Sequence, residues 1–264
     1  MADNGLKFDL VASKYNRFRM GYDPRLVSDL LRVASLTRDS RACEIGAGTG
    51  QASQQFAAEG IELVCVEPGA AMAALLSENL RDYPKARCVV STFEEAALPP
   101  SHFDLVFAAQ SLHWVDSGVR YTRPCELLKP EGVFAAFWKR TEPKFWHDCP
   151  LLAEILSQHL SDFRVQSYPE FESEASSWLL ELTSSGLFRF CELRRYRSLP
   201  TPFSESHFLG SIESSSSVIC MTETARESLR RHLLSYFKEY PTEGMLRRFE
   251  TVLVFGYKSD ADTS

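Results

Sequence analysis

The chain has 264 residues, 44% of them hydrophobic and 24% charged, with a formal net charge of −6. This is the make-up of a globular protein long enough to bury one large core. Its acidic balance argues against the basic footprint with which nucleic-acid binders neutralise phosphates, and no run reaches the ~20 apolar residues needed to cross a bilayer. Neither nucleic acid nor a membrane is expected as a partner.

The opening residues, MADNGLKFDL, carry neither the basic stretch nor the apolar stretch of a secretory leader. Cys43, Cys65, Cys88, Cys125, Cys149, Cys191 and Cys220 form no CxxC pair, and several lie in apolar runs. A reduced, cytoplasmic protein without a structural metal is expected. Basic residues gather only locally, at Arg194, Arg195 and Arg197, at Arg230 and Arg231, and at Arg247 and Arg248. Each group reads as a solvated face of secondary structure.

In chain order, two helices come first. Asp23-Pro24 opens the second with an N-cap side chain and a proline whose missing N–H costs nothing there, and Leu26, Val27, Leu30, Leu31 and Ala34 follow at helical spacing. From Arg41 strands and helices alternate. Strands are expected over 42–45, 61–66, 88–90, 103–108 and 132–138, with helices over 51–58 and 70–80. A helix over 117–128 must be kinked or limited by Pro124. Residues 140–186 and 204–240 read as mainly helical, with strands over 188–195 and 249–257 and a frayed tail from Ser259. Continuous apolar strands alternating with helices imply right-handed crossovers and an open, doubly wound α/β sheet.

The strongest motif is Cys43-Glu44-Ile45-Gly46-Ala47-Gly48-Thr49-Gly50, between a strand and a helix. Glycine allows a sharp turn and a close backbone approach to a ligand. A dinucleotide site would set a pyrophosphate against this loop, and Glu44 would repel it. Glu44 suits instead a ligand carrying an ammonium and a sulfonium, as S-adenosylmethionine does. The third glycine also falls one residue earlier than in the dinucleotide pattern. Glu67, at the end of the second strand, is placed to accept hydrogen bonds from ribose hydroxyls.

These residues resemble a class I S-adenosylmethionine-dependent methyltransferase, and more narrowly the small-molecule group that includes the ubiquinone-biosynthesis and trans-aconitate enzymes. Glu44 to Gly50 matches the family's E/D-x-G-x-G-x-G motif, and Val66-Glu67-Pro68 its second motif. Ser91-Thr92-Phe93-Glu94 resembles the segment beside adenine. Phe103 to Val106, with Ala109-Gln110 and His113-Trp114, resembles the fourth motif and its extension. Leu128-Lys129-Pro130-Glu131-Gly132 resembles the loop before strand five, with Glu131 in place of the usual first glycine.

The resemblance implies a Rossmann-like, mostly parallel, seven-stranded sheet with an antiparallel last strand, plus a helical cap and an N-terminal helical lid. One domain is expected: a lid over 1–38, a cofactor core over 39–139, a cap from 140–186 and 204–240, and closing strands within 187–203 and 245–258. It implies cofactor contacts from Glu44, Gly46, Ala47, Gly48, Gly50, Glu67, Pro68, Thr92, Phe93, Ala109 and Gln110, with S-adenosylhomocysteine as product. His113 is the candidate base, with an equal reading as a loop-holding residue. Trp114 and Tyr15 are candidates for the acceptor pocket. Arg17 and Arg19 read as a solvated face. The expected activity is methyl transfer to a small molecule. The competing readings are a cofactor-binding regulator, a dinucleotide-dependent oxidoreductase, and a methyltransferase of protein or RNA.

Overall fold

The computed structural model describes residues 7–240 and 242–259. Five parallel strands are followed by two more: β1 (Arg41–Ile45), β2 (Glu62–Glu67), β3 (Ala86–Val90), β4 (Phe103–Ala109), β5 (Leu128–Thr141), β6 (Phe188–Arg197) and β7 (Phe249–Lys258). Their order in the sheet is β3-β2-β1-β4-β5-β7-β6, and β7 runs antiparallel to both β5 and β6. The last strand is thus inserted between its neighbours, and β6 forms the edge.

Successive side chains of these strands feed opposite faces of the sheet. Leu63, Cys65, Leu105 and Phe107 enter one cluster with Leu26, Leu30 and Phe56, whereas Val64, Val66, Val106 and Phe134 enter another with Phe93 and Leu182. Both faces are covered, which is why the strands read as unbroken apolar runs.

The helices are α1 (Ala12–Phe18), α2 (Pro24–Val33), α3 (Ser53–Ala57), α4 (Ala70–Asn79), α5 (Thr122–Leu127), α6 (Pro143–Asp148), α7 (Pro150–His159), α8 (Tyr168–Ser184), α9 (Glu205–Glu213), α10 (Ser216–Ile219) and α11 (Glu223–Glu239). α2 starts as the sequence signals: the Asp23 side chain accepts the Arg25 N–H, and Pro24 opens the helix. α5 begins only at Thr122, so Pro124 falls in its first turn, where no backbone N–H has an intrahelical partner, and no kink is needed. Glu131 adopts a φ of 63°, the left-handed conformation that the family's glycine would take without strain.

Two stretches differ from expectation. β5 continues past Trp138 to Thr141 because β7 pairs with it as far as Phe249. The expected cap over 140–186 divides: α6 and α7 join α9 to α11 around Phe145, Leu152, Phe208, Leu233 and Phe237, but α8 packs on the sheet. Leu182 is buried beside that second face, and Trp178 stacks on Trp138 with ring centroids 4.2 Å apart. The apolar stripe of α8 covers sheet surface that would otherwise meet water. Of the tail expected to fray, residues 260–264 lie outside the described residues. Among the described residues no helix is long and apolar enough to cross a membrane.

Candidate active site

The glycine loop leaves β1 at its C-terminal end, where open α/β sheets place their ligands. Gly46, Gly48 and Gly50 all have positive φ, 62°, 59° and 95°. At Gly46 a Cβ would also lie 2.7 Å from the Ser111 Cβ, and Ser111 is held there by its hydroxyl, which donates to the Ile45 carbonyl. The Ala47 N–H donates to the Val66 carbonyl at 3.1 Å, tying the loop to the end of β2.

Glu44 is buried at the base of this loop and accepts a 2.5 Å hydrogen bond from the Ser53 hydroxyl. Burial pushes its carboxyl up to about 8; the Ser53 hydrogen bond opposes the rise and the charge of Glu67 adds to it. Glu67 ends β2 and accepts the N–H of Gly48 at 2.8 Å and of Gly69 at 2.9 Å, one on each oxygen. Burial raises its pKa, and those two N–H groups oppose the rise.

A cleft with about 760 Å³ of empty volume, part of it open to solvent, lies in front of Glu44. Of the sequence-predicted residues, it gathers Glu44, Gly46, Ala47, Ala109, Gln110 and Tyr15. Gly48, Gly50, Glu67, Pro68, Thr92 and Phe93 are not among its lining residues. They follow the ends of β1, β2 and β3, on the side where the 3-10 turn Lys7–Val11 lies against α4. There the Asp9 carboxylate accepts the N–H groups of Ala71 and Met72, at 3.1 and 3.0 Å. Thr92 hydrogen-bonds Glu95 at 3.3 Å, and Phe93 is buried beneath the Arg123 guanidinium.

His113 and Trp114 occupy the 3-10 turn after β4 (Leu112–Trp114), outside the cleft's lining. His113 is exposed at its edge and packs on Trp114, 4.8 Å between centroids. Partial burial and the charge of Arg120 lower its pKa. Trp114 meets Phe8, which in turn meets Tyr15.

The cleft also includes Arg19, from the expected lid, and several residues that carry no functional signal in the sequence: Lys139, Arg247, His207, Phe18 and Phe249. Arg19 and Arg247, read from their neighbours as solvated, turn inward instead. Arg19 lies over the Tyr15 ring at 4.9 Å and Arg247 over Phe249 at 4.5 Å. The signal for Lys139 lies in the pairing of β5 with β7, which no local pattern reveals. Among the described residues no three metal-ligating side chains gather into a metal site.

The geometry suits the cofactor implied by the motifs. It offers a glycine cradle that a Cβ would fill at Gly46, a buried carboxylate for an ammonium group, and a buried Arg19 Nε without a hydrogen-bond partner. Comparison with known proteins agrees. Residues 43–136 match the family model described as a methyltransferase domain. An uncharacterised methyltransferase of Mycobacterium tuberculosis is 29% identical over 142 residues, covering 54% of this chain and 56% of the relative. A probable S-adenosylmethionine-dependent methyltransferase of Saccharomyces cerevisiae is 26% identical over 138 residues, covering 51% and 47%. The matches thus span about half the length of these relatives. The structure of Haemonchus contortus phosphoethanolamine N-methyltransferase 2, solved with phosphomonomethylethanolamine and S-adenosylhomocysteine, shares the fold. Its TM-score is 0.54 at 18% identity, covering 96% of this chain and 58% of that one.

Proposed function

We propose that the protein transfers a methyl group from S-adenosylmethionine to a small-molecule acceptor bound in the cleft. The observation that carries this reading is the buried Glu44 carboxylate, set behind the glycine loop and lining a cleft at the C-terminal end of the strands. When bound, S-adenosylmethionine supplies a methyl on a positively charged sulfur, an electrophile that needs alignment and dryness more than activation. Glu44 would meet the cofactor's ammonium and Glu67 its ribose. Gly46 and Ala47 would let the backbone approach, Gly48 and Gly50 would shape the loop, and Ala109 and Gln110 would border the methionine end. Pro68, Thr92 and the backbone of Phe93 would flank the adenine. Tyr15 and Phe18 of α1 would close the cleft against water.

An acceptor that must lose a proton needs a base. His207 is on the cleft wall, and burial together with Arg247 and Lys139 lowers its pKa, so it is neutral at pH 7 and able to accept a proton. His113 would serve only an acceptor approaching along the Trp114 side.

Calorimetric titration with S-adenosylmethionine, S-adenosylhomocysteine and NAD tests the reading. Binding of the first two without NAD is expected. Binding of NAD alone would replace it with the oxidoreductase reading. The Glu67→Gln and Gly48→Ala variants should stay folded and bind S-adenosylhomocysteine at least roughly tenfold more weakly, the first through loss of about one strong hydrogen-bonding contact and the second through the strain of a side chain at a φ of 59°.

A further inference from the structure

Three cations face the cleft: Arg19 just after α1, Lys139 on the extended end of β5, and Arg247 on the short ribbon formed by Leu246–Arg247 and Thr201–Pro202. Among the described residues none of them makes an ion pair with a carboxylate. Neutral groups hold each one instead. Arg19 donates to the Ser214 carbonyl at 3.1 Å, and its Nε has no partner. Lys139 donates to the carbonyls of Gly21 and Met20. Arg247 donates twice to the Thr141 hydroxyl and is packed among the rings of Phe145, Phe208 and Phe249.

A cluster of arginines on the same sheet is treated differently. Arg140, Arg195 and Arg197 all reach the fully buried Glu250, at 3.0, 3.2 and 3.3 Å, and Arg140 and Arg195 have Glu174 and Glu172 as well. Desolvating a charge without a counterion is costly, so unmatched cations clustered in a cleft mark a place for an anion.

The electrostatics agree. Burial, Arg19 and Arg247 push Lys139 down to about 8, and burial and Arg19 push Arg247 down to about 9. The carboxylates facing them do not offset this. Glu44 is held largely protonated at neutral pH, and Asp23, which acts on Lys139, spends its oxygens on Arg25. When the cofactor binds, Glu44 is matched by its ammonium, and the cofactor's one carboxylate can satisfy only one of the three cations.

We infer that the methyl acceptor is itself anionic, a small molecule whose carboxylate or phosphate group is held by Arg247 and Lys139, beside the apolar walls of Phe18 and Phe249. This rests on the methyltransferase reading proposed above. A guanidinium offers a planar fork that matches either group, and Lys139 adds a point charge.

The test uses protein saturated with S-adenosylhomocysteine, titrated calorimetrically with succinate, with inorganic phosphate and with neutral succinamide. At least one anion should bind and the amide should not, with succinate or phosphate identifying the group. Lys139→Met should weaken that anion at least roughly tenfold, the loss of one charge-assisted contact, while affinity for S-adenosylhomocysteine is unchanged. Arg247→Lys, which keeps the charge and loses the fork, should weaken it less, and this conservative variant guards against misfolding of a packed site. Three results overturn the proposal: neither anion binding, succinamide binding as well as succinate, or Lys139→Met leaving anion affinity intact. A loss of S-adenosylhomocysteine affinity in Lys139→Met would overturn it too, by giving this cation to the cofactor. Failure of S-adenosylhomocysteine to bind the unaltered protein would instead overturn the reading beneath it.

Discussion

Gly46 meets two independent demands, a positive φ and the closeness of Ser111. Gly46→Ala should therefore destabilise the fold by about 1–3 kcal/mol and nearly abolish S-adenosylhomocysteine binding, read by thermal denaturation and calorimetry. Glu44 sets a pH dependence. Its folded pKa, about 8, lies above the ordinary 4.5, so between those values the folded state holds a proton that the unfolded state has lost. Stability from this group is full at low pH and falls by about 1.4 kcal/mol per pH unit as pH rises through that window. Glu44→Gln should remove this slope in denaturant titrations of the ligand-free protein. An ammonium placed against Glu44 favours the ionised form, so cofactor binding at pH 7 should release a proton. Calorimetric enthalpies that vary with the buffer's ionisation enthalpy would reveal it; enthalpies independent of buffer would argue against contact with Glu44. Of the two histidines, His207→Asn should slow turnover of an acceptor that needs a base, and His113→Asn should not.

At the scale of elements, the segment before α2 bridges core and cap. Asp9 takes two N–H groups at the start of α4, which has no capping side chain of its own. Asn16 accepts from Asn79 on α4, and on the other side Lys14 pairs with Glu213 on α9 while Phe18 packs against Gly210. Asp9→Ala removes a distant N-cap and should cost about 1 kcal/mol locally. Faster hydrogen exchange at Ala71, Met72 and α1, with the sheet unaffected, would be its signature. Unchanged exchange would show that the segment is held by packing alone. The length of β5 matters to the site in the same way. Only the residues beyond Trp138, which the local apolar run does not include, bring Lys139 and Thr141 to the cleft.

Over the whole molecule, the Glu250 cluster joins β5, β6 and β7 through three arginines, and β6 borders no other strand beyond β7. Removing this one fully buried carboxylate takes away the partner that Arg140, Arg195 and Arg197 share. Glu250→Gln should lower the unfolding free energy by about 3–5 kcal/mol, measured as a shift in the urea midpoint. A loss under 1 kcal/mol, in the range of a surface pair, would show that water reaches the cluster.

The core of the fold was legible because its signals are local. A strand buried on both faces must be apolar throughout, a glycine loop must follow β1 if a ligand is to approach its backbone, and Asp23-Pro24 must begin a helix. Those residues carry their physical constraint in their own side chains, so the succession of strands and helices and the cofactor class could be read from them. The acceptor side was hidden because its residues are constrained only by partners distant in the chain. Arg247 beside Arg248 has the same appearance whether solvated or enclosed; the cap's aromatic rings and the β5–β7 pairing turn it inward. Arg194, Arg195 and Arg197 looked like one solvated basic face. Tertiary packing pairs Arg195 and Arg197 with Glu250 and Arg194 with Asp29, while among the described residues Arg19 and Lys139 are left without a carboxylate at the cleft. A charge alone does not say what it faces, since its energy depends on burial and on neighbours that only the folded chain supplies.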